Sequence, residues 1–274
     1  MAGFAWQVSS LCMIGVPVTI LPMNILVCND DGIHAPGLAA LVDCVKGLGT
    51  VHVVAPDAEQ SAVGHAITIA SPIKAKKVAK QGEFYGYAVG GTPADCVKLA
   101  VSELLPSPPD LVLSGINHGP NAGISVLYSG TVSGATEGTI LGIPSIAFSI
   151  NTFQTPIWET AARVARTVVE RLEGAGIPLD SLLNVNIPSC PYDELKGFAV
   201  VPIGKSRYVE EFDARVDPRG NTYYWMDGEL ELFDTVEETD VKMLRRGYVT
   251  LTPIHFDLTK YEALESLRAW DVSL

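Results

Sequence analysis

Two carboxylates stand side by side where an apolar run stops: residues 24–28 (NILVC) lead directly into Asn29-Asp30-Asp31-Gly32. Neighbouring anions repel unless something positive lies between them. With a hydroxyl such as Ser61 and a carboxamide such as Asn117 close by, Asp30 and Asp31 make an oxygen-rich candidate site for one divalent cation, Mg²⁺, Mn²⁺ or Ca²⁺. An Asp-Asp-Gly turn without a ligand uses the same letters. The position after a buried-type strand and before a proline-started helix at Pro36 moves the reading toward chemistry.

A second constellation is SGINHGPNAGISVLYSGTVSGATEG, residues 114–138. Its Gly115, Gly119, Gly123 and Gly130 permit close backbone approach, and Asn117, Asn121, Ser129 and Thr131 offer neutral polar contacts. Ser129-Gly130-Thr131 opens a helix, where free N–H groups and the dipole favour a phosphate without Lys or Arg. Close helix–strand packing would use the same glycines. Gly90-Gly91-Thr92-Pro93 is another helix start, adding Gly91 and Thr92 as weaker candidate phosphate contacts. His65 and His118 lie in these loops as candidate proton donors or substrate contacts, with solvent-facing bystanders as the competing reading. His34 reads as packing near the first helix, and His52 and His255 as structural strand residues.

The elements that must position these residues alternate strand and helix. Apolar runs at 24–28, 51–55, 110–113, 143–148 and 182–187 read as buried strands, and helical spacing of apolar residues marks 36–48, 94–104, 131–141 and 156–173. Residues 67–90 read as an antiparallel excursion, with strands at 67–69 and 84–89 around a solvated Lys-rich stretch. Repeated βαβ units of this length imply a mostly parallel sheet with helices on both faces. Ligands then bind beyond the carboxyl ends of the strands, where Asp30, Asp31, Ser61 and Asn117 all fall. Past Pro188 the chain turns rich in Pro, Gly, Tyr and acids, with strands expected at 198–201, 222–225 and 248–251. The expected organisation is a core at 23–188 and an irregular β-rich portion at 189–274 that serves subunit contacts.

The chain of 274 residues has a formal net charge of −12, with 47% apolar residues to build a core. An acidic surface disfavours long nucleic acids, whose binding depends on many Lys and Arg contacts. Five scattered cysteines without a C-x-x-C pair predict neither disulfides nor zinc, and point to a reducing cytoplasm. Residues 1–22 are apolar but interrupted by Gln7, Ser9, Ser10, Gly15 and two prolines, and the first basic side chain is Lys46. They read as a non-native or mis-started extension rather than a signal peptide or membrane span. No P-loop, H-E-x-x-H, G-x-S-x-G or G-x-G-x-x-G is present.

ILVCNDDGIHAPG, VVAPDAEQSAVGHAIT, GGTPADCVKLA, SGINHGPNAG, YSGTVSGATEG, DPRGNTYYW and GYVTLTPIHFDLT, in that order from Met23 to about Thr259, resemble the SurE family of survival-protein nucleotidases. The resemblance implies a Rossmann-like three-layer α/β/α fold with a C-terminal part used in dimer or tetramer formation. It also implies a metal-dependent phosphomonoesterase acting on nucleoside 5′- or 3′-monophosphates, with Asp30, Asp31, Ser61 and Asn117 as metal ligands. Asp30 or Asp31 would orient or deprotonate the attacking water, and Asn121, Ser129, Gly130, Thr131, Gly91 and Thr92 would contact the phosphate. The rival reading is a non-catalytic, metal-dependent nucleotide sensor; a Rossmann-like transferase is a third.

Overall fold

The computed structural model describes residues 23–175 and 180–270, so the apolar segment 1–22 lies outside the described residues. Along the chain run β1 (Met23–Cys28), α1 (Pro36–Val45), β2 (Gly49–Pro56), β3 (Ala75–Lys80), β4 (Glu83–Val89), α2 (Pro93–Leu99), β5 (Leu111–His118), α3 (Gly130–Ile140), β6 (Ser145–Asn151), α4 (Trp158–Ala175), β7 (Ser181–Pro188), β8 (Phe198–Val200), β9 (Arg207–Val216), β10 (Thr222–Glu231), α5 (Asp240–Arg245), β11 (Val249–His255) and α6 (Leu264–Arg268).

Successive residues of β1 point to opposite faces, and both faces are apolar, so both need cover. Ile25 and Val27 pack with Leu38, Leu41 and Val45 of α1 and with Ala161, Val164 and Ala165 of α4. Leu26 and Cys28 meet Cys96 and Val97 of α2 on the other side, where α3 lies beside α2. The sheet between these layers has nine strands in the order β3-β4-β2-β1-β5-β6-β7-β11-β8. β1 pairs in parallel with both β2 and β5, and the parallel run continues through β6 and β7. The chain builds outward from β1 to β2 and β4, then crosses back to β5. Strand order therefore reverses between β1 and β5, and the loops after these two strands diverge to leave a crevice. This is the mostly parallel α/β architecture expected.

Several elements differ from expectation. The solvated Lys-rich stretch is exposed as expected but forms the edge strand β3, paired antiparallel with β4, and residues 67–69 form no strand. Lysines on an exposed edge discourage further strand pairing, so the composition that resembled a loop suits this position. β5 continues through the expected loop to His118, pairing Asn117 with Ser149 after an irregularity. Gly115 makes this possible: its φ is +131°, and a Cβ there would lie 2.3 Å from the Phe148 carbonyl oxygen. β11 inserts between β7 and β8 in the main sheet, so Pro188 marks a change of composition and not the end of the sheet. The feature that projects is the β9–β10 ribbon, ten residues per strand, with Phe212, Tyr224, Trp225 and Met226 all exposed.

α1 reaches the sheet through Gly37, where a Cβ would lie 2.0 Å from the Ile116 carbonyl oxygen and 3.0 Å from the Trp158 ring. Gly37→Ala is expected to cost about 1–3 kcal/mol in urea unfolding, the range for forced overpacking. An unchanged midpoint would mean that α1 does not approach β5 this closely.

Candidate active site

β1 delivers Asp30 and Asp31 into the crevice, and they meet different environments. Asp30 is buried, and its Oδ1 accepts a hydrogen bond from the Thr131 hydroxyl at the first turn of α3. The Thr131 backbone N–H also supports the carboxylate. The approach is close enough that a Cβ on Gly130 would stand 2.7 Å from Asp30 Cβ and 2.9 Å from its Oδ2. Asp31 is half-buried and accepts the His118 backbone N–H on Oδ2 at 3.4 Å. Beneath them Asn29 is fully buried: its Nδ2 donates to the Gly32 carbonyl at 3.1 Å, and its Oδ1 has no hydrogen-bond partner.

The other two candidate ligands arrive on a loop and a strand end tied to this pair. The Gln60 N–H donates to the Asp30 carbonyl at 2.8 Å, which brings its neighbour Ser61 to the β1 loop. Ser61 is exposed, and its hydroxyl donates to Glu59 Oε1 at 2.5 Å. Asn117 sits at the end of β5, one residue before the amide that reaches Asp31. Its Nδ2 donates to the Gly119 carbonyl at 2.8 Å, so its oxygen is the part left for a ligand.

The remaining candidates are held by the protein itself. Ser129 caps α3, accepting the Val132 N–H at 3.0 Å. With Thr131 and Val132 committed, the Gly130 N–H is the amide left among the three. Asn121 belongs to a buried polar layer: its Nδ2 donates to Ser149 at 2.9 Å, its N–H to Asn186, and its carbonyl accepts from Asn184 and Asn186. Thr92 forms a capping box with Asp95 at the start of α2, and its hydroxyl donates to the Ala66 carbonyl at 2.7 Å. A Cβ on Gly91 would lie 2.8 Å from Asp95 Oδ2. Gly91 and Thr92 thus cradle Asp95, which in turn accepts the Thr68 N–H and hydroxyl.

Glu137 had no sequence signal. It lies on a helix of small residues, buried at 2% exposure, with His65 Nε2 at 2.9 Å and Lys98 Nζ at 2.7 Å. Burial pushes its carboxyl up, but these two partners outweigh burial and hold it below its ordinary range. His65 is therefore a latch between the Ser61 loop and α3. His118 is exposed, with Nε2 2.8 Å from the Gln154 carbonyl and its ring edge-on to Trp158.

Electrostatically the aspartate pair is under strain. Burial lifts Asp30 from 3.8 to about 6, opposed by the Thr131 hydroxyl and aided by the charge on Asp31. Asp31 is raised by its own burial, opposed by the His118 amide and aided by Glu59. No Lys or Arg pairs with either among the described residues. No group of three His, Cys, Asp or Glu is arranged for a metal among them either, so a soft or borderline metal has no ligand set here. Two carboxylates, a hydroxyl, a carboxamide oxygen and an orphaned Asn29 oxygen instead suit a hard divalent cation.

The chain matches the family model for survival protein SurE over residues 25–210. It is 49% identical to the 5′-nucleotidase SurE of Heliobacterium modesticaldum over 90% of this chain and 92% of that one. It is 46% identical to the 5′-nucleotidase SurE of Syntrophobacter fumaroxidans, covering 91% of this chain and all of that protein. The crystal structure of the SurE protein from Aquifex aeolicus superposes with a TM-score of 0.79 at 46% identity, over 89% of this chain and 98% of the other.

The raised Asp30 value has a measurable sign. A folded-state value above the unfolded one means that charging Asp30 erodes stability as pH rises from 3.8 to about 6, with the full cost above that. Asp30→Asn keeps an acceptor for Thr131 and removes the charge. In EDTA near neutral pH the variant is expected to be more stable than wild type by up to about 3 kcal/mol, with the gain vanishing below about pH 4. A variant less stable than wild type in EDTA at neutral pH would contradict this account of the site.

Proposed function

The chain belongs to the SurE family, and from that premise we propose that it is a metal-dependent 5′-nucleotidase, hydrolysing nucleoside 5′-monophosphates, and 3′-monophosphates as well, to nucleoside and phosphate. The observation that carries the proposal is the unpaired Asp30–Asp31 couple at the crevice between β1 and β5, with Asp30 seated on the first turn of α3.

Asp30, Asp31, Ser61 and Asn117 would hold one Mg²⁺, Mn²⁺ or Ca²⁺, each presenting oxygen. A cation held there would supply Lewis-acid polarisation of the phosphate ester. The chain's own groups do the rest. The uncommitted Gly130 N–H at the positive end of α3 faces charge that builds on the phosphoryl oxygens. Thr131 fixes the rotation of the Asp30 carboxylate. Asp31, with one oxygen tied to the His118 amide, orients the attacking water or takes its proton through the other. Water oxygen bonds to phosphorus, the bond from phosphorus to the sugar oxygen breaks, and that oxygen leaves with a proton as the nucleoside hydroxyl. Ser129 acts through the cap that sets α3, Asn121 through the polar layer under the loop, and Gly91 and Thr92 through the Asp95 capping box.

The exposed aromatic ribbon β9–β10 supports assembly into a homodimer or tetramer, because an isolated two-stranded ribbon is marginal in water. The four described cysteines are free thiols, which fits a reducing cytoplasmic setting. No helix among the described residues is long and apolar enough to cross a membrane.

Phosphate release from a panel of nucleoside monophosphates, in EDTA and with Mg²⁺ or Mn²⁺ restored, tests the proposal. Release is expected only with metal, and Asp30→Asn should lose most of it while remaining folded. No release with any metal would favour the nucleotide sensor. Gly130→Ala should lower metal-stimulated kcat/KM by about 100-fold by pushing Asp30 out of place. Wild-type turnover in that variant would remove α3 from the mechanism.

A further inference from the structure

Between Asp227 and Asp240 the chain carries seven acids and no basic residue, none of which belongs to the crevice. Two of them turn inward. Asp240, fully buried at the start of α5, accepts the Gly204 and Val241 N–H groups on Oδ1 and the Gly123 N–H on Oδ2, each at 2.8 Å. Asp234 accepts the Lys205 N–H on Oδ1 at 2.6 Å, but its buried Oδ2 has no partner. Thr239 Oγ1 and Ser206 Oγ are likewise unpartnered, on residues 2% and 0% exposed.

Asp234, Asp240 and Thr239 bring their oxygens together beside Gly204. A Cβ on Gly204 would lie 2.8 Å from Asp234 Oδ2, 3.1 Å from Asp240 Oδ1 and 3.2 Å from Thr239 Oγ1. A Cβ on Gly123, whose amide Asp240 holds, would lie 2.2 Å from Ser206 Oγ. Neither glycine could carry a side chain without displacing these oxygens, which press against bare Cα atoms. Among the described residues no Lys or Arg pairs with either carboxylate. Lys242 directs its ammonium to the carbonyls of Asp234 and Val236 and toward Glu237. Burial pushes the Asp240 carboxyl up, its three amides oppose this, and Asp234 adds to it. Two inward carboxylates and an orphaned hydroxyl, with the nearby Lys242 ammonium spent on carbonyls, are costly unless a cation completes them.

We propose that Asp234, Thr239 and Asp240 form a second cation site, separate from the Asp30–Asp31 crevice and of the class that takes Ca²⁺. Two negative charges match a divalent ion, and a mixed carboxylate–hydroxyl set suits the flexible coordination of Ca²⁺ better than the octahedron of Mg²⁺. The site also has a mechanical position. Gly123 opens the 3₁₀ turn Gly123–Tyr128 that leads to the α3 cap Ser129, and the Ile124 N–H donates to the Ser206 carbonyl at 3.0 Å. An ion here ties α5 and the start of β9 to the loop that ends at Gly130.

Ca²⁺ binding to the full chain, measured by equilibrium dialysis together with melting in chelator and in Ca²⁺, tests the site independently of turnover. Asp30→Asn removes the crevice site. That variant is expected to retain one Ca²⁺ per chain and a Ca²⁺-dependent rise in Tm, and Asp30→Asn combined with Asp234→Asn should lose both. Thr239→Val, which deletes a hydroxyl that bonds nothing in the protein, guards against a folding artefact. On the Asp30→Asn background it should melt no lower than its parent in chelator, yet bind Ca²⁺ at least about tenfold more weakly. The proposal is overturned if Asp30→Asn binds no Ca²⁺ and melts identically with and without it, the result expected of an ordered water, or if Thr239→Val binds Ca²⁺ like its parent.

Discussion

The Asp30 carboxylate is buried against the first turn of α3, where Thr131 offers it a hydroxyl and an amide and Gly130 leaves room by having no side chain. That contact joins the end of β1 to a helix that follows three further strands of the parallel sheet, β2, β4 and β5. It demands a glycine at the helix start, a β1 that stops at Cys28, and an α3 that packs close to the sheet. The last demand explains the small residues of α3: a Cβ on Gly134 would lie 2.8 Å from Ser114 Oγ, and one on Gly138 would lie 2.4 Å from Ser145 Oγ. A helix with ordinary side chains there would stand off the sheet and carry its N-terminus away from Asp30.

A carboxylate that is costly when charged also constrains the loops around it, because its ligands must be present before a cation can repay the cost. The Ser61 loop is held at five points: Gln60 on the Asp30 carbonyl, Gly64 on the Tyr128 carbonyl, His65 on Glu137, Ala66 on Thr92 and Thr68 on Asp95. The Asn117 end of β5 is held by the Asp31 contact and by continued pairing with β6. These attachments use backbone groups, neutral side chains or ion pairs closed on themselves, and none brings a free basic group to the aspartates. A Lys placed there would relieve the repulsion and compete with the cation.

The parts of this arrangement that were legible in the sequence are those whose chemistry is local. Asp30 and Asp31 follow an apolar strand, Gly130 opens a helix, Ser61 lies in the loop after β2 and Asn117 at the end of β5, so chain order and strand direction put them at the same sheet edge. Glu137 was not legible, because its partners His65 and Lys98 come from other elements and its helix shows no apolar stripe. The T-x-x-D of Thr92 and Asp95 is a capping signature in plain view, yet a preceding Gly-Gly looks the same whether the loop cradles a phosphate or a carboxylate. β3 was obscured because an edge strand is allowed the lysines that a loop would carry. β9 was obscured because its ten residues are all exposed and leave no burial period to read. The place of β11 between β7 and β8 is set by pairing across distant segments, which no local pattern encodes.

A net charge of −12 bears on the ligand through distance. Residues 1–150 contribute −4 (6 Lys less 10 acids) and residues 151–274 contribute −8 (13 basic less 21 acidic). Charges on an exposed surface are screened over about 8 Å at physiological salt, so the exposed acids of the later segment act locally. A small anion in the crevice feels the α3 N-terminus and whatever Asp30 and Asp31 hold. A long polyanion must also cross the acidic surface, with no row of Lys or Arg to release its counterions. Of the acids turned inward, Glu137 is met by His65 and Lys98 and Asp95 by Thr68 and Thr92, which leaves Asp30 with Asp31 and Asp234 with Asp240. Among the described residues both pairs lack a basic partner, and the two are anchored to opposite ends of the same segment, Gly123 to Thr131. Acidity in this chain therefore limits the length of the ligand rather than its sign, and concentrates the demand for positive charge at two interior points.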